Sequence, residues 1–393
     1  MKKIVLTMLC FCSVVVWAQK AETIETIAAN SHSLQWYSEQ VKAWQQQVDR
    51  HPQEEWAWRN LFRATYYHEQ FSDQKHDDIS SEAVIRKMET AVPDSYVLNL
   101  SKAKYYFGPQ TANRTKSYVT RAIEKMPDNA NADDINLLAC YLWGLVPDHA
   151  DVDRLLTLNY RQQHYPEHIV RYNWNMLRSM QPHALYFGNG DNVVVPMRML
   201  QAALGERKDV TVIPLSFLYM DEFRSELCKK LGIPPFPKSY ADYVEAGGEG
   251  GSPYVTDVVM HLIRETHLPS YFFTDVLQQT SLNKDHVYNE GLLLKYSEQP
   301  YDNFAVAIRN VKEVYHLEYL SEPDLSYNRW ETSRMMDINN VTLLSHLIGK
   351  LRNQGDKETA DRLYRILDAC VKRCPVNPAM KRKVADLLKS EAI

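Results

Sequence analysis

Cysteine and glycine are scarce in this 393-residue chain, at six and 13 residues. Cys10 and Cys12 lie in the apolar run at the start, and the other four, Cys140, Cys228, Cys370 and Cys374, are scattered. So few and so dispersed, they exclude a disulfide-built scaffold. Cys370 and Cys374 stand one helical turn apart. A bond between them would close a tiny loop and stabilise little, so plain helix positions are the simpler reading. No Gly-Lys-Ser/Thr follows a glycine run, which excludes a phosphate-binding P-loop, and Gly-x-Ser-x-Gly, His-Glu-x-x-His and Cys-x-x-Cys are all missing. No basic stripe with interleaved aromatics offers a nucleic-acid surface, and the net charge is −4. Past the first 18 residues, no apolar run is long enough to cross a membrane.

What is present begins with the pattern of an export leader. Lys2 and Lys3 precede an apolar run from Ile4 to Trp17, and Val16-Trp17-Ala18 offers a small-residue cleavage site before Gln19. A retained anchor is the competing reading, but the run is short for a span. Cys10 and Cys12 lack the small residue that precedes a lipidated cysteine. The expectation is a periplasmic or secreted mature chain without a transmembrane segment, more acidic by two charges once both lysines leave. With 45% hydrophobic residues, it can build packed domains.

From about Ser33 to Gln181 the pattern is helical and punctuated by proline. Pro52, Pro93, Pro127 and Pro166 follow one another at 41, 34 and 39 residues (differences of their numbers). Behind each comes an apolar, aromatic face, such as Trp56, Leu61, Ala64 and Tyr67 behind Pro52. Proline suits a turn between helices, because it fixes φ and disfavours a helical residue before it. One hairpin cannot bury such a face, whereas stacked hairpins bury it together. The pattern resembles degenerate tetratricopeptide repeats, with an irregular helical bundle as the alternative.

At His183 the period changes. Ala184–Phe187 reads as a buried strand, Pro196–Leu204 as a helix and Asp209–Pro214 as a β-branched strand. That βαβ unit requires a parallel pair. Helices over Tyr219–Leu231 and Tyr254–Glu265, a strand at Pro269–Phe273 and a fourth at Gly291–Tyr296 complete an α/β segment. The tail is helical over Asn339–Arg352, Lys357–Lys372 and Pro378–Lys389. The expected fold is therefore mainly α with an α/β segment, tetratricopeptide-like hairpins flanking a small parallel-sheet domain. Its expected divisions are a signal peptide over 1–18, repeats over 23–181, the α/β domain over 182–325, and a helical hairpin with a capping helix over 326–393.

The best candidate for chemistry is the turn Gly188-Asn189-Gly190-Asp191-Asn192, placed between a strand and a helix at the carboxyl edge of the sheet, where α/β folds bind ligands. Asn189, Asp191 and Asn192 could bond sugar hydroxyls or a hard cation, although the same residues are ordinary turn and cap chemistry. Glu249 and Ser252 belong to the glycine-rich run Ala246–Pro253, which could be a flap but reads more simply as a linker, with Ser252 as N-cap and Pro253 as first residue of the next helix. His164 and His168 have helical ligand spacing, but Pro166 stands between them and no carboxylate completes a set; no metal or other cofactor is expected. His76-Asp77-Asp78 reads as a solvated loop. The carboxylates Asp221, Glu222, Asp257, Asp275 and Glu290 fall near the α/β segment without spacing that brings two together.

The residues from Tyr186 to Asn192, then Leu200-Gln201 and Arg207–Ser216, resemble the soluble C-terminal part of the protein O-mannosyltransferase-like membrane proteins of Bacteroidetes. Leu268–Phe273 is similar to that family's "RP-x-YF" strand, Asn289–Leu294 to its "EGL" strand, and Gly355–Glu358 to part of its tail hairpin. The likeness covers roughly Gln181 to Pro375. Val193 departs from it where the family carries a second Asp, and the membrane-embedded domain expected to transfer the sugar is absent from this sequence. The resemblance thus implies an architecture and an extracytoplasmic address, not an activity. The function expected is an envelope scaffold binding a protein or peptide on its repeats, with a carbohydrate as a further candidate ligand. The rival is a glycan-handling enzyme built on Asn189, Asp191 and Asn192.

Overall fold

A computed structural model describes residues 20–72, 80–247, 251–322, 330–373 and 382. The expected leader, His76-Asp77-Asp78, Glu249, Cys374 and, apart from Arg382, the helix expected over Pro378–Lys389 lie outside the described residues. The chain divides into two compact units, Met1–Ile24 with His32–Leu98 and Glu25–Ser31 with Asn99–Ile393.

In the first unit, α1 (Leu34–Arg50) and α2 (Glu55–Phe71) form a hairpin, and α3 (Ser81–Ala91) packs on α2. Ser33 and Ser80 cap α1 and α3, their hydroxyls accepting from the N–H groups of Trp36 and Ala83. Pro52 occupies the α1–α2 turn, and its carbonyl accepts from Trp58 Nε1 at 2.8 Å. Apolar side chains of both helices, among them Tyr37, Val41, Trp44, Leu61 and Phe62, are buried. The unit ends inside α4 (Tyr96–Tyr106), which Pro93 precedes.

The second unit opens with α5 (Ala112–Glu124), α6 (Ala132–Leu145), α7 (Ala150–Arg161) and α8 (Glu167–Ser179), with Pro127 and Pro166 in the turns. All four marker prolines therefore sit between helices, as their spacing requires. Then follow β1 (Leu185–Gly188), α9 (Asp191–Leu204), β2 (Thr211–Pro214), α10 (Asp221–Leu231), α11 (Tyr240–Glu245), α12 (Ser252–Thr266), β3 (Ser270–Phe272) and α13 (Val276–Gln279). β4 (Val287–Asn289), β5 (Leu294–Tyr296), α14 (Asn303–Arg309), α15 (Glu331–Asn353) and α16 (Lys357–Arg373) complete it.

The sheet runs β2-β1-β3-β5-β4. β1 pairs parallel with β2 and β3, in register Tyr186 with Val212 and Tyr186 with Tyr271. Its apolar run is continuous because both faces are covered, and Leu185, Tyr186 and Phe187 are fully buried. The fold is thus mainly α with an α/β segment, but the sheet is mixed rather than purely parallel. β5 runs antiparallel to β3 and to β4, because a short turn joining β4 to β5 leaves no room for a crossover.

The helix expected from Pro196 begins five residues earlier, at Asp191, so Pro196 lies inside it. Proline has no N–H to give the carbonyl four residues back. Here that carbonyl belongs to Asn192, and Asn173 Nδ2 of α8 donates to it at 2.8 Å instead. α7 and α8 both pack on α9, which fixes the first turn of α9 against the helical layer. Among the described residues, no helix is long and apolar enough to cross a membrane.

Candidate functional site

β1 lies between β2 and β3, so the chain leaves β1 toward one side and comes back to its other side. The order reverses at the carboxyl ends of β1 and β3, the position where open α/β sheets leave a crevice. Asn189 follows β1 there, and its Nδ2 donates to Gln279 Oε1 at 2.5 Å. Gln279 Nε2 in turn donates to Asp275 Oδ2 at 3.1 Å, beyond the end of β3. Burial pushes the Asp275 carboxyl up, and its Oδ1 has no hydrogen-bond partner.

Beside this crevice opens a cavity of about 530 Å3. Thr274 from the end of β3, Tyr172 of α8 and Asn289 with Gly291 of the β4–β5 turn form part of its wall, opposite Asn303 and Phe304 of α14. The remaining wall is one face of α15. Asn339, Thr342, His346 and Lys350 recur on it at spacings of three and four residues, which align on a helix. Among the described residues, no carboxylate lines the cavity.

The turn in that wall is held by side chains. Gly291 has φ +120°, and a Cβ there would lie 2.7 Å from the Tyr315 hydroxyl oxygen. That hydroxyl accepts from Leu292 N–H at 3.1 Å. Asn303 Nδ2 donates to the Asn289 carbonyl at 2.6 Å, and Asn310 Nδ2 to that of Glu290 at 2.9 Å. Glu290 itself is buried, accepts from the Tyr301 hydroxyl at 2.7 Å and lies 3.8 Å from Lys295 Nζ. It is an anchor of the turn, not a surface carboxylate.

The lining offers hydrogen bonds rather than acid–base chemistry. Burial raises the Tyr172 hydroxyl far above neutrality, so it stays a protonated group bonded to the Asn339 side chain. His346 Nδ1 is 2.9 Å from the Thr342 carbonyl and donates to it. Lys350 Nζ stands 3.9 Å over the Phe304 ring, a cation–π contact that fixes the ammonium at the rim.

The residues expected from sequence divide between places. Asn189 belongs to the crevice. Asn192 is turned to structure: its Nδ2 donates to the Ala28 carbonyl at 2.9 Å, and its Oδ1 is buried without a partner. Asp191 is the first residue of α9, after the N-cap Gly190. It keeps contact with solvent, yet the protein packed around it pushes its carboxyl up, opposed by Lys104 and reinforced by Asp133. Burial pushes the thiol of the half-buried Cys140 well up, with the nearby Asp191 and Asp133 adding to the effect. Asp191 does not line the 530 Å3 cavity. Ser252 is the first residue of α12 instead of its cap, a place taken by Gly251 with φ +79°, and its carbonyl accepts from Thr256. Glu249 lies outside the described residues.

Sequence reasoning missed the β4–β5 turn and the α15 face. It also missed a partner for His168, whose Nδ1 lies 2.9 Å from Asp337 Oδ2 in the core between α8 and α15. The two are 169 residues apart, and no local pattern joins them. Among the described residues, no three His, Cys, Asp or Glu side chains are placed to hold a metal ion. No known family model matches the chain, and no curated protein is significantly similar to it.

Proposed function

We propose that this chain is an exported binding scaffold of the cell envelope, and that its α/β unit holds a small hydroxyl-rich, acidic ligand, of the uronate or nucleotide-sugar kind, in the cavity beside β3. The observation that carries this reading is the lining: amides and hydroxyls at Asn289, Asn303, Asn339, Thr274 and Thr342, a lysine at the rim and, among the described residues, no carboxylate. Amides both donate and accept, which suits sugar hydroxyls, and an unopposed ammonium favours an acid group on the ligand. The cavity falls within the size range of small-molecule sites. Export rests on the Lys2-Lys3 and Ile4–Trp17 leader pattern, and kinship with the soluble region of the mannosyltransferase-like family rests on the ordered motifs from Tyr186 to Glu358. A protein or peptide on the helical hairpins is the accompanying partner.

The test is titration calorimetry of the mature chain with galacturonate oligomers, nucleotide sugars and neutral oligosaccharides, on wild type, Asn303→Ala and Lys350→Gln. Binding of the acidic probes that weakens roughly tenfold in each variant supports the site, as loss of one charge-assisted bond predicts. Saccharide binding indifferent to both substitutions, or none at all, removes it. An enzyme reading is favoured by one observation alone, the exposed Asp191 whose carboxyl its surroundings push up. It requires turnover of a glycan or nucleotide sugar that Asp191→Asn abolishes.

A further inference from the structure

The first unit carries one occupied groove and one open cleft. In the groove, against α1 and α2, lies a non-helical segment of the chain, Lys20–Ile24, held by its main chain. Gln40 Nε2 donates to the Lys20 carbonyl at 3.3 Å, and Gln40 Oε1 accepts from Glu22 N–H at 2.8 Å. Trp44 Nε1 donates to the Glu22 carbonyl at 2.8 Å, and Asn60 Oδ1 accepts from Ile24 N–H at 2.8 Å. Arg59 and Arg63 also donate to the Ile24 carbonyl. Contacts at residues 20, 22 and 24 have the two-residue repeat of an extended chain. This hairpin thus holds a peptide backbone with buried polar side chains.

The cleft is built otherwise. It lies between α1 and α3, both of which pack on α2, and encloses about 310 Å3. Val41, Leu61 and Val84, one from each helix, are buried in its lining, with the half-buried Ala83 beside them. Among the described residues of the lining, Thr65 is the only buried polar side chain, and its hydroxyl donates to the Leu61 carbonyl at 2.9 Å. Lys42 of α1 and Lys87 of α3 are exposed on its two walls and, among the described residues, form no ion pair. No described carboxylate lines the cleft, and the flanking Asp49 and Glu82 are bonded to Gln45 and Arg86.

A peptide laid in this cleft would bury N–H and C=O groups against methyls, a cost that the floor does nothing to offset. An alkyl chain has no such groups, and its burial is favourable in proportion to area. An anionic head on that chain would meet two ammoniums. We propose that the cleft between α1 and α3 binds a single-chain aliphatic acid, of the medium-chain carboxylate kind. Its alkyl chain lies on Val41, Leu61 and Val84, and Lys42 and Lys87 meet its head. The inference is independent of the cavity beside β3.

The test is titration calorimetry of the mature chain with butanoate, hexanoate, octanoate, 1-octanol and the peptide Ac-Glu-Leu-Glu-amide. Wild type, Lys42→Gln, Lys87→Gln and Ala83→Leu are compared. Affinity should rise roughly twofold to fourfold per added methylene from butanoate to octanoate. Each lysine substitution should weaken octanoate about threefold, and 1-octanol should bind about tenfold more weakly than octanoate. Ala83→Leu fills the cleft from a half-buried helix position and should abolish binding; Ala83→Gln replaces it if that variant does not unfold cooperatively. No binding of octanoate, affinity independent of chain length, or indifference to all three substitutions would each overturn the proposal. So would tighter binding of the peptide, or octanoate binding that responds to Lys350→Gln in their place.

Discussion

The α1–α2 groove and the cavity beside β3 are both built from amide side chains, and they differ in what satisfies them. In the groove, Gln40 and Asn60 are fully buried and bonded to the chain's own residues 20–24. At the cavity, Asn303 and Asn339 are half-buried, and the space they face is open. A buried amide without a partner is expensive, so a groove of that kind must be filled by the fold itself. A half-buried amide can leave its remaining valences to water and exchange them for a ligand. The first arrangement stabilises, and the second recognises.

The strongest way to break the comparison is Gly291→Ala, which forces a side chain onto a left-handed backbone and into Tyr315. A loss of about 3 kcal/mol in urea unfolding of the α/β unit is expected, with the cavity wall displaced and saccharide binding lost. A stability change near zero would mean that the turn is not the rigid wall described. Asn60→Ala and Thr342→Ala form the direct pair: about 2 kcal/mol is expected for the buried amide, and within about 0.5 kcal/mol for the exposed cavity residue. Equal losses would erase the distinction between the two sites.

A third variant probes the support of the turn after β1. Asn173→Ala leaves the Asn192 carbonyl without its donor and should cost about 1.5 kcal/mol. Adding Pro196→Ala restores an N–H four residues on and should recover most of that loss. No recovery would dissociate the two residues. The smallest effect serves as a yardstick outside both sites. The Arg207 guanidinium, with His183 N–H, holds the Asp209 carboxyl well below its ordinary range. A depressed folded value means that the stabilisation is complete above the unfolded pKa and fades as pH falls from there toward the folded one. Asp209→Asn should therefore cost about 1 kcal/mol at pH 7 and progressively less below about pH 4. A loss independent of pH would point to packing instead of charge.

Much of the architecture was legible in the sequence because its signals are local. Each marker proline must fall where a helix cannot continue, and β1, β2 and β3 announce themselves as short apolar or β-branched runs. Asn189 could be placed at the sheet edge because a turn after a central strand has a fixed place there, although it does not line the cavity. The β4–β5 hairpin was only half visible: Val287-Tyr288-Asn289 is short, partly polar and lacks a two-residue turn signature. Asp191 was read by residue type, but only the packing around it separates an open carboxylate from a cap. The α15 face and the Lys20–Ile24 groove depend on contacts across 18 to 39 residues or more. A weak signal for the groove was present: Gln40, Arg59, Asn60 and Arg63 interrupt helix faces that are otherwise apolar.

The most direct test of the central claim, one site filled by the chain and the other open, is amide hydrogen exchange on the ligand-free mature chain and again with galacturonate oligomers or nucleotide sugars. The account predicts slow exchange at Glu22 and Ile24 that no probe changes, and further slowing at Gly291 and Leu292, already bonded to Asn289 Oδ1 and the Tyr315 hydroxyl, when a probe is bound. Fast exchange at Glu22 and Ile24 without ligand, or protection at Gly291 and Leu292 that no probe changes, would contradict it.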